Sequence, residues 1–472
     1  METIDIKNLN IEKASEMLRD GKITSVSLVE ACLKNITERN GELNAILEVF
    51  SDALDEAKKA DEMIARGEGD KLTGIPMVFK DNIFITGKKV SGGSKILENY
   101  TASYDAFVIE KLKKSGAVFI GRANMDEFAM GSSNETSAYG PVKNPLDITR
   151  VPGGSSGGSV ASVAAGFCLG ALGTDTGGSI RQPASFCGLV GMKPTYGGVS
   201  RRGTIAMSSS LDQIGPITKT VEDAKIIFDI ISGQDKMDAT SIKLPDTPTE
   251  ISLAGIKIGI PRDWLKEGID ADVMENFNAS VEKLKNLGYE IVDIDLPYAK
   301  YSLAVYYILM PAEVSTNLSR LDGIRYGNRV EGENIFDTYK KSRSAGFGME
   351  TRRRIILGSY VLSHGYYDAY YNKAWKVRHA IEKEFEDIFK KVDFVLTPTT
   401  PSVAFKFGAK KDPLQMYLSD IFTVPANIAG IPSLSVPSGF SAEGLPYGVQ
   451  FMAPLCADEK LFAISLELEE NI

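Results

Sequence analysis

Amphipathic helical segments alternate along this chain with short, almost wholly apolar runs, a pattern that few architectures can absorb. In ITSVSLVEACLKNITERNG, Val29, Cys32, Leu33 and Ile36 recur at the i, i+3, i+4, i+7 spacing of one helix face, and Thr24 or Ser25 can cap its start. DAFVIEKLKKSGAVFIG reads as a helix capped by Asp105, stopped at Gly116 and followed by a strand. IKIGI from Ile256 and DFVLTP from Asp393 are short strands. Between them Val273, Phe277, Val281, Leu284 and Leu287 mark a helix stripe that Gly288 ends, ahead of the alternating YEIVDIDLP. Helices interleaved with apolar strands predict an α/β protein built around a mostly parallel sheet. The polar run QDKMDATSIKLPDTPTE reads as a long surface connection, and no internal repeat accompanies it.

A chain of 472 residues, 43% hydrophobic and 24% charged, can bury a large core and is ordinary for a folded protein. Its formal net charge of −9 argues against a primary nucleic-acid binder, which shows a basic excess. Cys32, Cys168, Cys187 and Cys456 form no CxxC pair and have no nearby histidine. That pattern predicts neither a metal site nor a disulfide framework, but buried thiols in a cytoplasmic protein. METIDIKNLNIEK lacks the apolar segment of a secretory signal. VASVAAGFCLGALG, Val160 to Gly173, is too short for a membrane span and reads as a buried helix leading into a strand.

Two glycine-lined serine runs stand out: PGGSSGGSV, Pro152 to Val160, and GTDTGGSIRQP, Gly173 to Pro183. As flexible linkers they would not pass straight into small apolar residues. As phosphate loops they lack the GK[ST] continuation, and no GxGxxG follows a strand. Nucleophilic catalysis is the remaining reading, and it needs a base. The chain has only two histidines, His364 and His379, both in tyrosine- and lysine-rich helical sequence better suited to a surface. A lysine can replace histidine if it is neutral. From a pKa of about 10.4 that costs roughly 4.6 kcal/mol at pH 7, which burial can supply. Lys80, closing the apolar run GIPMVFK, meets that demand; most lysines here do not.

With Lys80 in GIPMVFKDNI, Ser155 in GGSSGGS and Ser179 in DTGGSIRQPASFCG, the chain resembles the amidase signature family. The resemblance implies an α/β/α fold, a large mixed sheet covered by helices. It also implies one domain over residues 1–472, with catalytic motifs within 74–200 and glutamine-recognition elements within 300–440. It makes Ser179 the nucleophile, Ser155 the proton relay and Lys80 the base, with the N–H groups of Thr176, Gly177, Gly178 and Ser179 as the oxyanion hole.

NMDEFAMGSSNETSAYG, SSLDQIGPITKT, GYYDAYYNKA and FTVPANIAGIPSLSVPSG resemble, within that family, the glutaminase subunits of Glu-tRNA(Gln) amidotransferases. That branch implies glutamine hydrolysis through a glutamyl ester and delivery of ammonia to a partner, the B subunit, with a small C subunit bracing the pair. ATP and magnesium would belong to the partner, which would also make most contact with Glu-tRNA(Gln); no cofactor, metal or membrane is implied for this chain. Arg353 and Asp420 match the family positions for the α-carboxylate and α-ammonium of glutamine. Arg352 and Arg354 stand beside Arg353, where a solvated helix face is the competing reading. Tyr306 is expected to border the substrate, with Tyr307 its rival. A free-standing amidase acting on small amides, or a non-catalytic member that keeps the fold, are the alternatives.

Overall fold

In the computed structural model, which describes residues 4–246, 251–410 and 412–471, the apolar runs become strands of a single sheet. Among the described residues there are eleven: β1 Ile46–Val49, β2 Pro76–Lys80, β3 Val118–Ala123, β4 Gly170–Asp175, β5 Val190–Lys193, β6 Gln213–Thr218, β7 Lys257–Ile260, β8 Glu290–Asp293, β9 Phe394–Pro398, β10 Ser433–Phe440 and β11 Pro446–Met452. They lie in the order β1-β3-β2-β4-β6-β5-β10-β11-β9-β7-β8.

The sheet is mixed and helix-covered, as expected, but mostly parallel only in two blocks. β3-β2-β4 and β9-β7-β8 are parallel, while β1–β3 and every pairing from β4 through β6, β5, β10 and β11 to β9 are antiparallel. Connection length accounts for part of the difference. The five residues between β10 and β11 permit only a hairpin, whereas a parallel return needs a crossover of a dozen or more.

Side chains alternate between the two faces, as a strand's two-residue period requires. Phe394 and Leu396 of β9 join one apolar core and Val395 joins the other; in β11, Phe451 and Met452 divide in the same way. The first core takes the helices Ser25–Leu43, Val221–Ile231, Ala271–Asn286 and Asp458–Glu469. The second takes Ser302–Asn317 and Lys373–Ile388. No described helix is long and apolar enough to cross a membrane.

Local chemistry explains the helix ends. Thr24 caps Ser25–Leu43 through a reciprocal box with Ser27, each accepting the other's N–H at 3.0 Å. Asp105 does not cap the helix Phe107–Lys114, whose N-cap is Ala106. Its carboxylate instead accepts from Thr86 N–H at 2.7 Å and pairs with Lys113. Of the polar connection, residues 247–250 lie outside those described. Its earlier part is pinned by Arg202 on Asp235 at 2.8 Å and by Ile242 N–H on Gly197 O at 2.9 Å.

Val160–Gly173 forms the end of a helix, Gly157–Ala164, and the start of β4, buried throughout except at the half-buried Ala164. That helix packs on bare main chain, since a Cβ at Gly158 would lie 2.2 Å from Asn124 O. β2 and β4 run parallel as neighbours, with Phe79 opposite Leu172. Their last residues, Lys80 and Asp175, are therefore delivered to one edge of the sheet, where the two serine runs also meet.

Candidate active site

Lys80 is the last residue of β2 and is fully buried. Its Nζ lies 2.8 Å from Ser155 Oγ, 2.9 Å from Ser156 Oγ, 2.9 Å from Thr174 Oγ1 and 3.3 Å from Thr174 O. Burial dominates its electrostatics and pulls the amine down to about 7, against the opposing pull of Asp126, Asp175 and Asp212. A neutral amine has two N–H groups and one lone pair. Donating to Ser156 and Thr174 leaves that lone pair facing the Ser155 hydroxyl, which is the geometry of a general base.

Ser155 follows Gly154 in the loop before the helix Gly157–Ala164 and is fully buried. Ser179 sits in the adjoining loop and is buried but for 8% of its surface. The loops are tied by Ser156 N–H donating to Ser179 O at 3.2 Å. Among the described residues, no hydrogen bond joins the Ser155 and Ser179 hydroxyls.

The Ser179 loop is organised from beneath by Asp175. Its carboxylate accepts from Gly178 N–H at 2.8 Å, Ile180 N–H at 3.2 Å and Asn427 Nδ2 at 2.8 Å. Arg181, also fully buried, clasps it through Nε and Nη2, both at 3.1 Å. Burial alone would raise this carboxyl, but the Arg181 charge and hydrogen bonds outweigh it and hold it at about 2. Arg181 in turn donates to Gln450 Oε1 at 2.8 Å and Asn427 Oδ1 at 2.7 Å, so the buried charge is fully engaged.

This arrangement corrects one expectation. The Gly178 N–H is taken by Asp175 and is not free for an oxyanion. Among the described residues, the N–H groups of Thr176, Gly177 and Ser179 have no acceptor in the protein, which leaves those three for an oxyanion. Gly178 adopts φ +131°, and a Cβ there would fall 2.2 Å from Thr423 Oγ1. At Gly177 a Cβ would meet the ring of Tyr306 at 2.8 Å. Tyr306 therefore packs directly on the Thr176–Ser179 loop, whereas Tyr307 stacks on Tyr417 at 3.8 Å.

The three arginines separate. Arg352 is exposed, its Nε 3.4 Å from Gly348 O. Arg354 is buried between the rings of Tyr307 and Tyr417, 4.9 Å from each, and bonds Glu350 Oε1 at 2.6 Å. Arg353 pairs with the same Glu350 and keeps 47% of its side chain exposed, so its guanidinium retains donors for a ligand. Tyr417 bonds Glu350 as well, at 3.4 Å, and begins the turn that ends in Asp420. Asp420 is buried and accepts from Ser132 Oγ at 2.5 Å. Burial raises its carboxyl to about 7, opposed by that hydrogen bond and by the charge of Lys410. Both histidines are exposed, and His379 bonds Glu382.

Asp126, Ser156, Thr174, Asp175, Arg181, Gln182 and Thr423 were missed from the sequence. Five of them, Ser156, Thr174, Asp175, Arg181 and Gln182, lie within the two serine runs, and their signal was a polar side chain inside those runs.

The sequence model of the amidase family matches residues 27–462. The A subunit of the glutamyl-tRNA(Gln) amidotransferase of Syntrophus aciditrophicus is 49% identical over 475 residues, covering 99% of this chain and 98% of that one. Its counterpart in Koribacter versatilis is 51% identical, covering 99% of both. Among solved structures, the glutamyl-tRNA(Gln) amidotransferase A subunit of Thermotoga maritima superposes with a TM-score of 0.82 at 43% identity, over 99% of this chain and 96% of that one. A crystal structure of an amidase reaches 0.84 at 28% identity, over 98% of this chain and all of that one.

Proposed function

Because the chain belongs to the amidase family, we propose that it is the glutaminase subunit of a Glu-tRNA(Gln) amidotransferase. In this reading it hydrolyses the side-chain amide of glutamine and hands the ammonia to a partner. The observation that carries the reading is the Nζ of a fully buried lysine held 2.8 Å from Ser155.

Ser179 Oγ attacks the amide carbon while its proton passes to Ser155 Oγ, whose own proton passes to Lys80 Nζ. Rotation of the Ser179 side chain toward Ser155 on substrate binding closes this relay, as catalytic hydrogen bonds tighten in the complex. The negative charge that develops on the amide oxygen meets the N–H groups of Thr176, Gly177 and Ser179. As the C–N bond breaks, the proton returns from Lys80 through Ser155 to the nitrogen, and ammonia leaves. Water then attacks the glutamyl ester on Ser179, activated by the same relay, and glutamate is released. At an ordinary lysine pKa only about one amine in three thousand would be neutral at pH 7; at about 7 it is about half.

Arg353 takes the α-carboxylate of glutamine and Asp420 its α-ammonium, with Tyr306 along the reacting end. Arg354 serves to hold Glu350. One sheet running through both halves of the chain supports reading residues 1–472 as one amidase domain. The partners are the B and C subunits of the amidotransferase, in the cytoplasm, with ATP, magnesium and most of the Glu-tRNA(Gln) contact belonging to the former. The names of the relatives support this assembly.

The likeness to an amidase at 28% identity keeps a free-standing amidase as the second reading. Ser179→Ala, assayed with the partners present, separates the two. Loss of glutamine-dependent amidation of Glu-tRNA(Gln) with the ammonia-dependent reaction spared supports the glutaminase. Loss of both reactions, or rapid hydrolysis of simple amides by a wild-type chain indifferent to glutamine, refutes it.

A further inference from the structure

Asp420 stands where two hydrogen-bond chains diverge, and each ends on a different serine loop. Along the first, Thr423, fully buried and in the turn after Asp420, shares its one Oγ1 proton between Gly177 O at 2.7 Å and the main-chain Asp420 O at 3.1 Å. The peptide unit between Gly177 and Gly178 is thereby held at both ends. Thr423 fixes its carbonyl and Asp175 its N–H. Carbonyl and N–H point in opposite directions across a planar trans peptide, so fixing both sets the plane's rotation. The flanking N–H groups of Gly177 and Ser179, both without protein acceptors among the described residues, are aimed by that rotation.

Along the second chain, Ser132 Oγ donates to Asp420 Oδ2 at 2.5 Å, and Ser132 O accepts from Gln182 Nε2 at 2.8 Å. Gln182 Oε1 then accepts from Gly154 N–H at 3.0 Å, immediately before Ser155. Ser132 and Gln182 are buried, so neither bond has water as a ready substitute.

We infer that these chains form a specificity device in which an ammonium bound at Asp420 sets the geometry of both serine loops, with Thr423 and Gln182 as its positioning residues. The inference rests on the proposed glutaminase reading. Its chemistry is direct. An ammonium beside Asp420 holds it as the carboxylate, and the bond from Ser132 becomes charge-assisted, roughly twice as strong as a neutral one. A substrate amide without an α-ammonium leaves the arm through Ser132 slack, and with it the placement of the turn whose main chain Thr423 ties to Gly177. It therefore loses rate in the chemical step as well as affinity.

The test uses the full chain with its partner subunits and two substrates: glutamine, and 4-carbamoylbutanoate, which is glutamine without its amino group. In the wild-type complex kcat for glutamine is expected to exceed that for 4-carbamoylbutanoate by about tenfold or more, since small misplacements of reacting groups cost that much or more. In Thr423→Val and in Gln182→Leu the ratio of the two kcat values falls toward one, and Thr423→Ser restores it. Gln182→Leu carries the comparison alone if Thr423→Val does not fold. Equal slowing of both substrates, or wild-type discrimination residing in KM alone, overturns the inference. A wild-type complex that hydrolyses no glutamine fails differently, because it removes the glutaminase reading itself.

Discussion

Replacing Lys80 with methionine removes the amine and keeps most of the side-chain volume, so the change in stability reports on the proton. In the unfolded chain this lysine titrates at its ordinary value of 10.5; folded, burial brings it to about 7. Between those values the unfolded chain binds the extra proton. The residue therefore destabilises the fold at neutral pH, and the penalty fades as pH rises. The slope is about 1.4 kcal/mol per pH unit. From pH 7.5 to 9.5, wild-type stability minus that of Lys80→Met should grow by about 2 to 3 kcal/mol. Ser155, Ser156 and Thr174 lose a partner in the variant, at about 1 kcal/mol each, but that loss is an offset independent of pH. Lys193, also buried and near 7, is present in both proteins and drops out of the difference. Urea denaturation at pH 7.5, 8.5 and 9.5 gives the curve. A difference that is flat or shrinks with pH would mean that the amine keeps its proton in the folded chain, and the base assignment would be lost.

Arg181→Met should lower unfolding stability by about 3 to 5 kcal/mol, read as a fall in the urea midpoint, because it strands the buried Asp175 charge; an effect below about 1 kcal/mol would show that the pair does not hold the Ser179 loop. Asp420→Asn should raise KM for glutamine about 10- to 100-fold, as expected for losing a charge-assisted contact. In the wild type KM should rise as pH falls through about 7, where the carboxylate that would receive the ammonium takes up a proton; a KM unchanged in the variant and flat in pH would remove Asp420 from substrate binding.

Local sequence marked where to look: the apolar run GIPMVFK made Lys80 a candidate for burial and the glycine-lined runs drew attention to their serines, while the roles of Lys80, Ser155 and Ser179 came from the family resemblance. What stayed hidden depends on long-range contacts. The family resemblance places Gly178 among the oxyanion donors, yet its N–H turns under the loop to Asp175. Among Arg352, Arg353 and Arg354, sequence cannot tell a guanidinium packed between two tyrosines from one left half exposed. Thr423 lies 246 residues from the glycine it supports. In the fold, the strand runs marked the sheet, but pairing direction depends on which strands meet. The hairpin of β10 and β11 carried its signal in the five residues SAEGL between two apolar runs. Asp105 shows the limit of capping rules, since a tertiary partner in Thr86 competed for its carboxylate.

The most direct trial is the rate at which glutamine acylates Ser179 in a single turnover at saturating substrate, followed across pH 5.5 to 9 as the glutamyl ester. A buried amine acting through Ser155 predicts a rise through about pH 7 to a plateau, and no ester in Lys80→Met. A rate flat across that range, or an ester formed at full speed without Lys80, contradicts it.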